Sequence, residues 1–455
     1  MLFALIVFLY ALIVKGFSAE ESFIIGYQLF FILRFINNIG YTICFFDFLC
    51  FYSALDTLLM PMIGYRIFNI NNSLARVWGW YMRVPQETYY GFLIPANVAL
   101  ALGLNLLIKK YKPEFFKQLL ERLIEDARDK GKIGIVLTII GFLSAFLTGT
   151  NSVLAFVFHL LSMLKYVGPF YIYFSNLRFR KVVFFLSLLI FLGQAIYIGL
   201  FGEFVMYLVL ALMIVVIQYN IRFNLKLVVF SIGLFLIIVL QSVKGTYRFI
   251  TWQGKEKMGL STQNSSKIGI FGALFFDRMS NLDNLLDERS AFGIYTRMNQ
   301  GYLISRAMNY VPRVEPYADG ETIAKSVAAI LVPRILWPDK PEAGGRENLS
   351  RFLGIKTKLT YSMNIGPYGE AYGNFGPQYG VLFVFLYGLF TSLLFRQLLE
   401  KSKLRPTLII WAPLLFYSTL TVETDILSTL NAFIKGAIFV ALLFWISKKF
   451  FKTSL

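Results

Sequence analysis

The chain has 455 residues, 57% of them hydrophobic and only 15% charged, with a mean hydropathy of +0.62. Soluble domains carry about 25% charge, and single cores stop growing near ~250–300 residues, so this much apolar surface cannot be hidden from water in one fold. A soluble enzyme, a nucleic-acid binder and a secreted disulfide scaffold are excluded, and a polytopic membrane protein remains. The net charge of +18 suits that class, because cytoplasmic loops of membrane proteins collect Lys and Arg.

A span takes about 20 mostly apolar residues, with a lower limit near ~17. Residues 1–14 are apolar with no basic residue ahead of them, which reads as an uncleaved first helix. Apolar segments at 1–15, 23–38, 41–63, 88–108, 133–149, 152–175, 182–201, 203–219, 226–243, 378–396, 407–423 and 432–448 predict an all-α protein with about twelve transmembrane helices. Segments 109–132, 176–181, 220–226, 396–405 and 448–455 hold 20 basic residues, whereas the short loops opposite hold only Lys15, Arg66, Arg76 and Arg83. That asymmetry predicts both termini on the cytoplasmic side. Within segment 111–132, Phe115, Phe116, Leu119, Leu120, Leu123 and Ile124 recur at helical spacing opposite a charged face. This predicts an amphipathic helix on the cytoplasmic membrane surface.

Ionisable residues inside predicted spans are expensive and usually face the bundle interior in pairs. Arg34, Asp47, Asp56, Lys165, Glu423, Asp425 and Lys435 are of this kind. The expected pairs are Arg34 with Asp47, and Lys435 with Glu423 or Asp425. Cys44 and Cys50 share one apolar stretch and His159 stands alone in another, so neither a disulfide nor a metal centre is expected.

Residues 244–376 contain no convincing span and carry 17 basic and 12 acidic residues. They divide the chain into an N-terminal bundle (1–243), an external module (244–376) and C-terminal transmembrane helices (377–455). Aromatic and aliphatic residues run throughout the module, and helical periodicity over 281–310 and 321–332 predicts a mostly helical structure. Nine arginines stand in it: Arg248, Arg278, Arg289, Arg297, Arg306, Arg313, Arg334, Arg346 and Arg351. Arginine grips phosphate through a fixed, always-charged fork, so the group suits a pyrophosphate or anionic head group. The alternative is solvation, or pairing with Asp277, Asp283, Asp287 and Glu288.

Two segments of the module are unlike ordinary loop. In Val332-Pro333-Arg334-Ile335-Leu336-Trp337-Pro338-Asp339-Lys340-Pro341, three prolines stiffen a backbone that presents Arg334, Asp339 and Lys340. The alternative reading is an interfacial anchor built on Trp337. In Asn364-Ile365-Gly366-Pro367-Tyr368-Gly369-Glu370-Ala371-Tyr372-Gly373-Asn374-Phe375-Gly376-Pro377, glycines surround one acid, Glu370. Glycine permits re-entrant geometry at a membrane mouth, where Glu370 would act as a general base or hold a sugar hydroxyl, or else pair with a nearby arginine. Glu423 and Asp425, near the end of the eleventh predicted span, are reserve candidates along with Asp339. No Walker A loop is present, so ATP drive is not expected.

This layout, with Pro333-Arg334-Ile335-Leu336-Trp337-Pro338-Asp339-Lys340-Pro341 followed by Gly369-Glu370-Ala371-Tyr372-Gly373-Asn374-Phe375-Gly376, resembles the O-antigen polymerases of the Wzy type. The resemblance covers topology along the whole chain and residues only over roughly 330–380. It implies a metal-independent, cofactor-free glycosyltransferase of the bacterial inner membrane, its site facing the periplasm. Donor and acceptor would both be undecaprenyl-pyrophosphate-linked oligosaccharides, and a chain-length regulator protein would be a partner. By the family's pattern of external arginines with a nearby acid, Arg334, Lys340 and Glu370 carry over, with Arg297 and Arg306 behind them. On that reading Arg248 and Arg334 would meet the leaving pyrophosphate, Glu370 would deprotonate the acceptor, and Trp337, Tyr361, Tyr368 and Tyr372 would stack on sugars. An O-antigen ligase and a lipid-linked oligosaccharide flippase are the rivals. The ligase pattern includes an external catalytic histidine, whereas His159 falls in a predicted span.

Overall fold

The computed structural model describes residues 2–13, 16–108, 110–148, 155–252, 266–281, 283, 285, 287–332, 336–356, 363–450 and 455. Helices account for nearly all of the regular structure, and the described residues form no β-strand. Seven helices are long and apolar enough to cross a membrane: Phe45–Arg66, Gln86–Leu106, Arg180–Ile198, Phe201–Gln218, Phe223–Trp252, Gly366–Ser402 and Ile426–Phe450. Many of their large side chains point outward, among them Leu189, Leu212, Ile232, Leu386 and Trp445. A surface so apolar belongs in lipid, and the protein is a membrane protein.

The other five predicted spans take different forms. Leu2–Ile13 has only 12 residues, and Ala19–Asn38 is diluted by Glu20, Glu21, Gln28 and Arg34. Gly131–Leu147 follows Pro113–Ala127 across a 90° bend. Segment 152–175 holds helix Ala155–Ser162, a 3-10 turn Met163–Tyr166 and helix Gly168–Phe174, the last opening on Pro169. Segment 407–423 is a 3-10 turn Pro406–Trp411 continued by helix Ala412–Leu420. Proline tolerates a first helical turn but not an interior, which explains these restarts. The amphipathic helix Pro113–Ala127 forms where the periodicity places it, but its stripe of Phe116, Leu119, Leu120 and Leu123 is buried against protein. Its apolar face thus contributes to the core instead of lying on lipid.

The tightest helix pair is Gln86–Leu106 against Gly366–Ser402. Gly103 and Gly388 let the backbones touch: a Cβ on Gly103 would lie 2.4 Å from the Phe385 carbonyl oxygen. Helix Phe45–Arg66 completes this centre. Its π-helical turn, Leu55–Leu59, shifts the backbone register, and the Tyr89 hydroxyl donates to the Thr57 carbonyl at 2.8 Å. Beside it, Ser53, Thr57, Asn97 and Tyr368 form a closed buried network. Arg34 and Asp47 pair at 2.7 Å as expected, while Lys165 pairs with Glu203 at 2.8 Å.

Between residues 244 and 376 the described chain is helical over Lys267–Ser280, Glu288–Met298, Gly301–Tyr310, Glu321–Leu331 and Arg346–Leu353. Its first residues, 244–252, continue helix Phe223–Trp252. The glycine-rich segment is also helix, not loop: Gly366–Ser402 starts at Gly366 and breaks at Gly376, where φ is 68°. Pro377 has no N–H to offer the Gly373 carbonyl, which accepts from Ala318 N at 3.0 Å instead. The next carbonyl, of Asn374, accepts from Asp319 N at 2.9 Å. Two orphaned carbonyls thereby dock the start of helix Glu321–Leu331 onto the transmembrane bundle.

Candidate functional site

The site is organised by residues 421–425, between helices Ala412–Leu420 and Ile426–Phe450. Thr421 and Thr424 close a turn, with Thr424 N donating to the Thr421 carbonyl at 2.9 Å and the two hydroxyls 2.5 Å apart. Gly366 fits against this turn for two reasons. Its φ is +66°, and a Cβ there would come 2.3 Å from the Val422 carbonyl oxygen. No other residue meets both conditions without strain.

On one side of the turn stands a carboxyl pair. Glu370 is fully buried, and its Oε1 accepts from the backbone N of Ile426 at 2.8 Å. Its Oε2 has no hydrogen-bond donor among the described residues, with the Asn348 side chain beside it. Asp425, the residue before Ile426, is 1% exposed, and its Oδ2 accepts from Ser428 N at 3.1 Å, capping helix Ile426–Phe450. Asp425 Oδ1 makes no hydrogen bond of normal geometry among the described residues, with the Gly344 N–H and the Ser428 hydroxyl beside the carboxyl. Burial pushes the Asp425 carboxyl above the usual aspartate range.

Asp425 lines an open cleft of about 490 Å³, together with Thr322, Lys325, Asn348 and Arg351. The cleft's cations are occupied. Lys325 and Arg351 both hold Glu321, and Arg351 also holds Glu315 at 3.1 Å. Glu342 is held by Arg346. Asn374, fully buried one turn beyond Glu370, donates to the Glu370 carbonyl at 2.8 Å and exchanges a hydrogen bond with Thr322.

On the other side of the turn, Glu423 stands within electrostatic reach of Lys244 and Arg297, and Lys244 of Arg248. Helices Phe223–Trp252 and Glu288–Met298 pack together and bring these three cations to one place. Arg248 donates to the Gly199 carbonyl at 2.8 Å and lies over Trp252. Among the described residues no carboxylate comes within ion-pair distance of Lys244, Arg248 or Arg297. Asp56, in the π-helical turn, faces Glu423 from the bundle; it is fully buried, with the Tyr52 hydroxyl beside its carboxyl. π-Helical turns recur at functional positions.

The expected residues thus separate. Glu370, Asp425, Glu423, Arg248 and Arg297 converge on the turn. Arg306 lies apart, its guanidinium on the Tyr302 hydroxyl, whose ring stacks on Trp80. Lys340 donates to the Val332 carbonyl at 3.0 Å and staples its own segment, with Asp339 exposed and Trp337 half-buried. Tyr368 is buried in the Ser53–Asn97 network, and Tyr372 packs edge-on against Phe92 and Tyr317, so both rings face protein. Arg334 and Tyr361 lie outside the described residues. Sequence reasoning left out Lys244, Asn348 and the cleft; Asp56 was visible only as an acid inside a span. Among the described residues no three His, Cys, Asp or Glu side chains converge to hold a metal.

The chain belongs to the DUF8712 family, a domain of unknown function, whose model matches residues 6–400. No curated protein and no solved structure matches it.

Proposed function

We propose that the protein is a membrane glycosyltransferase that polymerises undecaprenyl-pyrophosphate-linked oligosaccharides into O-antigen or a related surface polysaccharide. The observation that carries this reading is the turn at 421–425, which separates three unpaired cations from a buried carboxyl pair by only the few residues between Glu423 and Ile426. Transfer from a lipid diphosphate needs those two chemistries side by side. Negative charge grows on the leaving diphosphate as its bond to the sugar breaks, and preorganised cations stabilise it. A carboxylate takes the proton of the attacking hydroxyl. Lys244, Arg248 and Arg297 supply the first, and the Glu370–Asp425 pair supplies the second.

In this reading the chain crosses the inner membrane twelve times with both termini cytoplasmic and the site facing the periplasm. Twelve crossings count the short or broken apolar helices at 2–13, 19–38, 131–147, 155–174 and 406–420 with the seven long ones. The chemistry needs no cofactor, and a chain-length regulator would dock from outside. Deleting the gene and resolving surface polysaccharide on a gel tests the assignment. Loss of polymerisation leaves lipid A core carrying a single repeat. Lipid-linked polymer without attached repeats identifies a ligase, units trapped inside identify a flippase, and an unchanged ladder removes all three.

A further inference from the structure

We infer that the cleft beside Asp425 is the acceptor-saccharide subsite, that Asp425 is the carboxylate touching the acceptor, and that Glu370 is a positioning residue. The inference rests on the polymerase reading and assigns its roles differently from the sequence. Glu370 sits closest to the glycine-rich motif, yet it does not line the cleft, and one of its oxygens is committed to the Ile426 N–H. That bond fixes the peptide joining Asp425 to Ile426. Asp425 does line the cleft, and among the described residues the oxygen it does not spend on Ser428 N makes no hydrogen bond of normal geometry although the residue is 1% exposed. A buried acceptor without a well-formed hydrogen bond costs stability, and a ligand hydroxyl would satisfy it.

The lining defines the ligand class. Thr322, Ser326 and Asn348 offer neutral donors and acceptors, and Leu427 and Pro341 are the few apolar contributors. Lys325 and Arg351 are already paired with Glu321, so among the described residues a diphosphate finds no unpaired cation lining the cleft. With three carboxyl groups, of Glu342, Glu347 and Asp425, against Lys325 and Arg351, the open cleft is net acidic and rich in hydrogen-bond acceptors, which suits an uncharged, hydroxyl-rich ligand over an anion. In the transfer step the acceptor hydroxyl gives its proton to Asp425 Oδ1 while its oxygen lone pair forms the new bond to the donor's anomeric carbon. The electrons of the anomeric carbon–oxygen bond leave with the lipid diphosphate.

The test complements the deletion strain with full-length variants and reads the polysaccharide ladder against protein level in membranes. Asp425→Asn and Asp425→Ser keep a side-chain acceptor for Ser428 N and remove the carboxylate; both should lower polymer at least about 100-fold. Glu370→Ala should also lose the ladder, and Glu370→Gln, whose amide oxygen still accepts from Ile426 N, should rescue it. The reverse pattern, with Asp425→Asn active and Glu370→Gln inactive at normal protein levels, overturns the assignment. A second readout is independent of activity and of how well the Asp425 variants fold. Asn348→Cys in the purified protein is labelled with a maleimide, and mild-acid-released single-repeat saccharide from the deletion strain should slow labelling while inorganic pyrophosphate does not. Protection by pyrophosphate alone overturns the subsite. A ladder unchanged by gene deletion overturns the polymerase reading and this inference with it, whereas a ladder lost on deletion but restored by Asp425→Asn overturns this inference only.

Discussion

The two sides of the turn at 421–425 differ in how their charges are used. On the cleft side Lys325 and Arg351 are already neutralised by Glu321 and Glu315. On the bundle side Lys244, Arg248 and Arg297 have no carboxylate within ion-pair distance among the described residues, and Lys244 and Arg297 face Glu423, at a distance, across from Asp56. Like charges repel, and desolvated cations are costly, so the bundle-side cluster is stable only because other contacts impose it. Unpaired charge held by the fold is what an anionic ligand can use, and paired charge is mostly architecture. That contrast separates residues of the same type: Arg297 and Arg351 are both arginines of the stretch 244–376, with opposite expected roles.

Arg248→Ala combined with Arg297→Ala gives the sharpest break, with polymer yield expected to fall about 100- to 1,000-fold at normal protein level. Arg351→Ala, removing a paired cation, should cost less than about tenfold; equal losses on the ladder gel would dissolve the contrast. Gly366→Ala comes next. It forces a side chain into φ +66° and against the Val422 carbonyl, so the turn should shift and the protein should be depleted from membranes, as read by immunoblot. Asp56→Asn should act oppositely on stability and function. It leaves a neutral amide where a buried carboxylate would repel Glu423. The midpoint of thermal unfolding in detergent should therefore rise while polymer yield falls; a fall in both would make Asp56 purely structural.

The smallest expected effect is a pH response of the cleft wall. Lys325 and Arg351 hold the Glu321 carboxyl below its ordinary value of 4.5. A folded-state pKa below the unfolded one adds stability that is present above the unfolded value and is lost as pH falls through the folded one. Helix Glu321–Leu331 should therefore keep its hydrogen-exchange protection at neutral pH and lose part of it below the ordinary carboxylate range. Glu321→Gln should abolish that dependence. Glu321 is fully exposed, so the change is confined to the helix and global unfolding is not expected.

Several features were legible in the sequence because they follow from local pattern. The stripe Phe116–Leu119–Leu120–Leu123 identified an amphipathic helix, yet whether it meets lipid or protein depends on what packs beneath it. Arg34 and Asp47 could be paired in advance because two opposite charges in neighbouring apolar segments have few other partners. The glycines of Gly366–Gly376 suggested re-entrant geometry; in the structure they serve close packing inside a helix that breaks only at Gly376-Pro377. Glu370 stood out as a lone acid among glycines. Asp425, two residues from Glu423, could not be told from it, because they part to opposite sides of a turn.

Composition and hydropathy by themselves determined that this chain is a helical membrane protein with an arginine-rich stretch between apolar segments, because apolar mass and residue period are properties of short stretches. Only the tertiary structure decided which arginines stand unpaired, that Glu370 meets Ile426 across 56 positions, and that Asp425 lines an open cleft. Charge pairing and burial are set by helices distant in sequence that meet in space, and no local pattern encodes which of them will meet.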